Sequence, residues 1–197
     1  MAKETQQKRY DADDLKEALR IVQQGGVILY PTDTVWGIGC DATNEKAVAR
    51  VYELKRRCDS KALIIMLANE NQLQRYVLNV PDIAYELISV AVKPLTIVYD
   101  NGINICKNLC AEDGSIGIRI TQENFSHKLC NTYRRPIVST SANISGEPTP
   151  LSFHDISNEI KNGVDYIVKN RQNDTINNKP SSVIRLNNDG TIKILRQ

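Results

Sequence analysis
Four cations crowd the seven residues Lys55-Arg56-Arg57-Cys58-Asp59-Ser60-Lys61, between a helical stretch and an apolar one. The negative end of a helix dipole accounts for one or two of them, but not for a run that persists to Lys61. Adjacent cations repel unless an anion sits among them, and a polyphosphate fits this spacing. A second cluster runs from Ser139 to Pro150 (Ser-Thr-Ser-Ala-Asn-Ile-Ser-Gly-Glu-Pro-Thr-Pro), after the short apolar pair Ile137-Val138. Its hydroxyls and amide are either local backbone caps or donors to a ligand, and their number favours the ligand. Arg119 lies in the alternating run Ser115-Ile116-Gly117-Ile118-Arg119-Ile120. It either faces solvent or points into a pocket, where its planar fork matches a carboxylate. Pro31–Gly39 reads Pro-Thr-Asp-Thr-Val-Trp-Gly-Ile-Gly and follows a buried strand. Its hydroxyls and glycines either cap the next element or let a ligand approach the backbone.

Other chemistries have little to work with. Only His127 and His154 are available as imidazole bases, so a Ser-His-Asp or Cys-His mechanism is poorly served. The five cysteines (Cys40, Cys58, Cys106, Cys110, Cys130) are scattered and odd in number, which reads as reduced thiols. Cys106, Cys110, His127 and Cys130 are spaced more loosely than zinc motifs built from C-x-x-C units, and no metal ligand is assigned.

Alternating helices and strands must bring these segments together. Leu15, Ala18, Leu19 and Val22 repeat at helical spacing within 11–24, and Gly25-Gly26 supplies the stop. Further helices are expected over 44–55, near 69–76, after Pro81, over 123–133 and over 152–161. Strands are expected at 27–30, 62–67, 95–99, 116–120, 137–139 and 165–168. Asn188-Asp189-Gly190 turns a hairpin between 182–186 and 191–195. Helices between strands with an antiparallel hairpin at the end make the fold class α/β, with a mixed sheet. Residues 1–10 read as a flexible N-terminal arm, 11–197 as one domain, and 170–180 as a mobile loop.

The chain has 197 residues, enough for a sizeable core, with 41% hydrophobic and 24% charged residues. A net charge of +2 argues against a domain that wraps nucleic acid, while local basic patches stay open. No stretch approaches the roughly 18 apolar residues that span a bilayer. The N-terminus has no apolar core for a secretory signal, so the cytoplasm is the expected location, with no membrane partner.

Pro31–Gly39, Lys55-x-Arg57, Pro94-Leu95-Thr96, Ile116–Arg119, Ser141-x-Asn143 and Ser141–Pro150, in that order and spacing, resemble the motifs of the YrdC-type threonylcarbamoyl-AMP synthase family. The resemblance covers 12–196, in what looks like the single-domain form. Departures are Trp36 for tyrosine, Cys58 and Ala62 for prolines, Val92-Lys93-Pro94 for P-G-P, Met66 for a histidine and Ser181-Ser182-Val183 for S-T-V. It implies a YrdC-like twisted mixed sheet flanked by helices. It also implies a nucleotidyltransferase that joins L-threonine, bicarbonate and ATP into threonylcarbamoyl-AMP and pyrophosphate, for tRNA threonylcarbamoyladenosine. By the same resemblance Lys55, Arg57, Ser141 and Asn143 are catalytic. Arg57, Lys61, Ser115, Ser141, Asn143, Thr149 and Arg196 bind ATP, and Thr34, Arg119, Ser139 and Ser181 bind threonine. Mg2+ is expected with the ATP. The partners implied are downstream tRNA threonylcarbamoyl transferase proteins, with weak binding of tRNA or double-stranded RNA.

Two rivals stand beside this reading. A translation-associated RNA-binding module without catalysis would use the basic segment, but a net charge of +2 and 6% aromatics suit it poorly. A carbamoyl transferase working from carbamoyl phosphate is the other.

Overall fold
Leu15, Ala18 and Val22 are buried along one side of α1 (Ala12–Gln23), and Gly25 closes the helix at φ +80, as glycine does without strain. The computed structural model describes residues 12–57, 62–174 and 180–197. The expected arm over 1–10, Lys61 and part of the loop over 170–180 lie outside these residues. Asn44 caps α2 (Glu45–Leu54) by accepting from the Ala47 N–H, and the helix ends at Lys55. The remaining α-helices are α3 (Ile83–Val90), α4 (Asn124–Tyr133) and α5 (Asn158–Gly163), with a 3-10 turn over Glu70–Arg75. No helix among the described residues is long and apolar enough to cross a membrane.

The strands are β1 (Ile28–Tyr30), β2 (Gly37–Gly39), β3 (Ile64–Leu67), β4 (Leu95–Tyr99), β5 (Ile116–Ile120), β6 (Ile137–Ser141), β7 (Tyr166–Ile167), β8 (Ser182–Leu186) and β9 (Ile192–Arg196). They form one mixed sheet in the order β7-β1-β2-β6-β3-β5-β4-β8-β9. The β1–β7, β3–β5 and β4–β8 pairs are parallel and the others antiparallel. Register then decides which side chains share a face, because alternate residues of a strand point the same way. Met66 pairs with Arg119, Arg119 with Thr96, Thr96 with Val183 and Val183 with Arg196. Ile64 pairs with both Gly117 and Ser139. One face of the sheet thus carries Ser139, Met66, Arg119, Thr96, Val183 and Arg196 in a row of strands.

Two local expectations need correction. Gly37–Gly39 is a strand where none was expected; with one side chain in three residues it has no readable periodicity. A Cβ on Gly39 would lie 2.6 Å from both the Tyr30 ring and the Val138 carbonyl, so only glycine permits this packing. The helix expected over 152–161 is shorter and later. Asp155 accepts from the Ser152 backbone and hydroxyl, making a turn, and Ser157 caps α5 beyond it.

Asp14 ties α1 to the chain after β7. It is 2% exposed and accepts from Tyr166 Oη at 2.7 Å, from the Lys169 N–H at 3.0 Å and from the Asn170 N–H at 2.8 Å. Asp14→Ala strands two backbone donors, and a stability loss of about 3 kcal/mol is expected. Denaturant unfolding at unchanged slope measures it; a loss below about 1 kcal/mol contradicts the assignment.

Candidate active site
A hollow of about 260 Å³ opens against that face of the sheet. Its wall combines Thr32, Thr34 and Trp36 with Arg57, Thr96, Arg119, Ser139, Ser141, Thr149, Ser181 and Arg196. Residues far apart in the chain are therefore brought to one place. Its charged side chains are all cationic, and half of the other lining residues bear hydroxyls.

Arg119 is part of this wall. It is 4% exposed, which rules out the solvated face. Its Nε lies 3.1 Å from Asp33 Oδ1, and its Nη2 is 3.5 Å from Ser139 Oγ and 3.6 Å from the Met66 sulfur. Neither Asp33 oxygen nor Arg119 Nε makes an aligned hydrogen bond. Asp33 thus balances the charge of Arg119 without satisfying its donors, and among the described residues no acceptor engages Nη1. Burial pushes the Asp33 carboxyl up, and the adjacent guanidinium opposes that rise.

Other hydroxyls share the hollow with this guanidinium. Thr32 Oγ1 donates to the Val35 carbonyl at 2.7 Å, accepts from the Thr34 N–H at 3.1 Å and lies 3.1 Å from Thr34 Oγ1. The Pro31–Val35 segment is therefore both a self-bonded turn and part of the wall, so its two readings coexist. Ser181 Oγ and Thr96 Oγ1 are 2.9 Å apart, and Arg196 Nε donates to the Ser181 carbonyl at 3.0 Å.

Arg57 and Ser141 line the same hollow. Arg57 Nη2 donates to the Ala62 carbonyl at 2.8 Å, which fixes the guanidinium beside the start of β3. Burial lowers its pKa. Lys55 does not reach the wall. It is 1% exposed, and its Nζ donates to the Ser141 carbonyl at 2.6 Å and the Asn143 carbonyl at 2.7 Å. Lys55 shapes the Ser141–Asn143 turn from behind. Asn143 turns its amide into its own loop, donating to the Ile144 and Glu147 carbonyls, while its Oδ1 is sealed without a partner. Ser115, its N–H on Asp113 Oδ1, precedes β5 and does not line the hollow.

Desolvation first, and then the nearby Arg57, push the Lys55 ammonium down to about 8. Between about 8 and the ordinary value of 10.5 the folded chain binds fewer protons at this group than the unfolded chain does. Its contribution to stability therefore rises with pH through that window. The neutral amine keeps two hydrogens for its two carbonyls, so the turn survives the titration. Unfolding of wild type against Lys55→Met, at about pH 7.5 and about pH 10, should show wild type gaining at the higher pH. A relative loss there would contradict the burial of a charged amine.

Asp33, Thr32, Trp36 and Thr96 are site residues to which the sequence reading gave no role. Asp33 carries a signal in hindsight, a carboxylate between two threonines at a strand end, but nothing in the spacing names its partner.

Residues 20–197 match the Sua5_yciO_yrdC family, described as Telomere recombination. A protein of Pseudoalteromonas translucida named threonylcarbamoyl-AMP synthase is 35% identical over 161 residues, covering 80% of this chain and 86% of that one. Another of that name, from Vibrio parahaemolyticus, is 30% identical over 188 residues, covering 94% and 99%. The structure of P. abyssi Sua5 complexed with L-threonine is 28% identical, with a TM-score of 0.81 over 91% of this chain. This chain spans 52% of that protein, about half its length.

Proposed function
The chain belongs to the Sua5/YciO/YrdC family, and from that premise we propose that it is a threonylcarbamoyl-AMP synthase, a nucleotidyltransferase serving tRNA threonylcarbamoyladenosine modification in the cytoplasm. L-threonine, bicarbonate and ATP become threonylcarbamoyl-AMP and pyrophosphate. The observation that carries this reading is the convergence of Arg119 and Arg57 on one hydroxyl-lined hollow. The synthase names of the two bacterial relatives favour it over an RNA-binding module without catalysis.

Arg119 receives the threonine carboxylate on its unengaged Nη1, while Thr34, Ser139 and Ser181 offer hydroxyls around the amino acid. A carboxylate there makes a charge-assisted bond in a nearly dry setting, which gives it both strength and direction. Arg57, Ser141, Thr149 and Arg196 face the nucleotide; Ser115 and Asn143 stand off the wall, and Lys61, outside the described residues, is a further ATP contact in this proposal. The carbamate formed on the threonine amine attacks the α-phosphorus, and the bond to pyrophosphate breaks. Positioning and charge stabilisation dominate such a displacement, so a site of guanidiniums and hydroxyls without histidine suffices.

The described residues do not form a metal cage. Among the described residues no group of three His, Cys, Asp or Glu side chains is placed to hold an ion, and Asp33 already faces Arg119. In this reading Mg2+ comes with the triphosphate and its waters. Downstream tRNA threonylcarbamoyl transferase proteins would take the product, and weak binding of tRNA or double-stranded RNA is part of the same proposal.

The test is incubation with ATP, Mg2+ and bicarbonate, with and without threonine, followed by mass detection. The adenylate should form only with threonine. Equal ATP turnover in both arms, with no adenylate, would reject the proposal.

A further inference from the structure
Arg171 bonds the Pro31–Val35 turn without lining the hollow, and it holds a backbone conformation, φ +66, that residues bearing a Cβ rarely adopt. Its side chain is 18% exposed and engages three elements at once. Nη1 donates to the Thr32 carbonyl at 3.0 Å and lies 3.4 Å from Glu123 Oε1. Nε donates to Asp174 Oδ2 at 2.8 Å, within its own turn. The other Glu123 oxygen accepts from the Ser126 N–H and so caps α4. Thr32 in turn bonds the Thr34 backbone and hydroxyl, and Thr34 lines the hollow. An unbroken chain of polar contacts thus runs from the start of α4, through Glu123, Arg171 and Thr32, to Thr34. A rare conformation persists only where the surroundings over-determine it, and such positions gather at sites with a job to do.

We propose that Arg171 is a positioning residue for the amino-acid half of the hollow, clamping the Thr32–Thr34 turn against the start of α4 and so setting where the Thr34 hydroxyl stands. This rests on the reading of that half as the threonine subsite. The guanidinium is suited to the task because one planar group serves the Thr32 carbonyl, Glu123 and Asp174 together. An ammonium has no such fork.

The test is steady-state pyrophosphate release by wild type, Arg171→Met, Arg171→Lys and Arg171→Gly, with threonine and ATP varied separately. Loss of a charge-assisted contact should raise the threonine KM of Arg171→Met by about tenfold, with the ATP KM unchanged within about twofold. Arg171→Lys should recover part of the loss, since an ammonium reaches the carbonyl but lacks the fork. Arg171→Gly adopts φ +66 freely, so it should melt no lower than Arg171→Met yet keep the same threonine defect. That separates the clamp from simple folding. A threonine KM in Arg171→Met within about twofold of wild type, or equal rises for both substrates, overturns the clamp alone. A wild type whose turnover ignores threonine removes the subsite reading and the clamp together.

Discussion

Replacing Arg57 by alanine is expected to lower adenylate formation about a hundredfold or more while leaving the fold intact. Among the described residues of the basic segment, Arg57 is the cation on the wall of the hollow, and its bond to the Ala62 carbonyl fixes it there. Charge on the departing pyrophosphate grows only as the bond breaks, so a prealigned guanidinium acts mainly on the transition state. Losing one such donor typically costs roughly 3–4 kcal/mol. Burial lowers the Arg57 pKa, but a guanidinium stays charged at any working pH, so the effect should not fade between neutral and mildly alkaline conditions. Arg57→Lys should fall between the two, keeping the charge and losing the fork. Pyrophosphate release gives the rate, calorimetry with threonine alone gives the untouched half, and near-normal turnover by Arg57→Ala would overturn the assignment.

The second large effect is expected at Arg119, and it has two separable parts. Arg119→Ala removes the group that meets the threonine carboxylate, so threonine affinity should fall about a hundredfold with nucleotide binding nearly unchanged. The same substitution leaves Asp33 buried without its counter-ion, which typically costs about 3–5 kcal/mol. Without the guanidinium that opposes its rise, the Asp33 carboxyl moves further up. The folded variant then binds a proton that the unfolded chain has released above the ordinary carboxyl value. Stability of the variant should therefore be greatest at acid pH and fall as pH climbs through the raised value. Adding Asp33→Ala removes the stranded charge and should restore most of the stability without restoring threonine binding. Calorimetry with each ligand and unfolding across pH measure both parts. Equal losses for threonine and nucleotide would reject the division of roles, and a double variant that regains threonine affinity would reject Arg119 as the clamp.

Much of this architecture could be read from residues in order. Strands β4, β5 and β8 match their expected bounds because Leu-Thr-Ile-Val-Tyr, Ile-Gly-Ile-Arg-Ile and Ser-Val-Ile-Arg-Leu have the composition and buried spacing of strands. Gly-Ile-Gly offers no such pattern, and β2 emerges only from the close approach of Tyr30 and Val138 to Gly39. The basic segment, the hydroxyl cluster and Arg119 are visible as residue types in unusual company. What those side chains touch is another matter. The pairing of Met66, Arg119 and Thr96 depends on sheet register, and the bond from Arg171 to Thr32 spans 139 residues. The ammonium of Lys55 shows the same limit: its type and position suggested a phosphate contact, whereas burial and two carbonyls tie it to the Ser141–Asn143 turn. Local spacing encodes elements; contacts between distant segments are decided by packing.

The most direct test of one hollow holding both substrates is a crystal structure with L-threonine and a non-hydrolysable ATP analogue bound together. The predicted result is the threonine carboxylate on Arg119, with the Thr34 and Ser181 hydroxyls around it and the phosphates lying toward Arg57, Ser141 and Arg196. Threonine bound away from Arg119, or phosphates bound on a surface that Arg57 and Ser141 do not share, would contradict it.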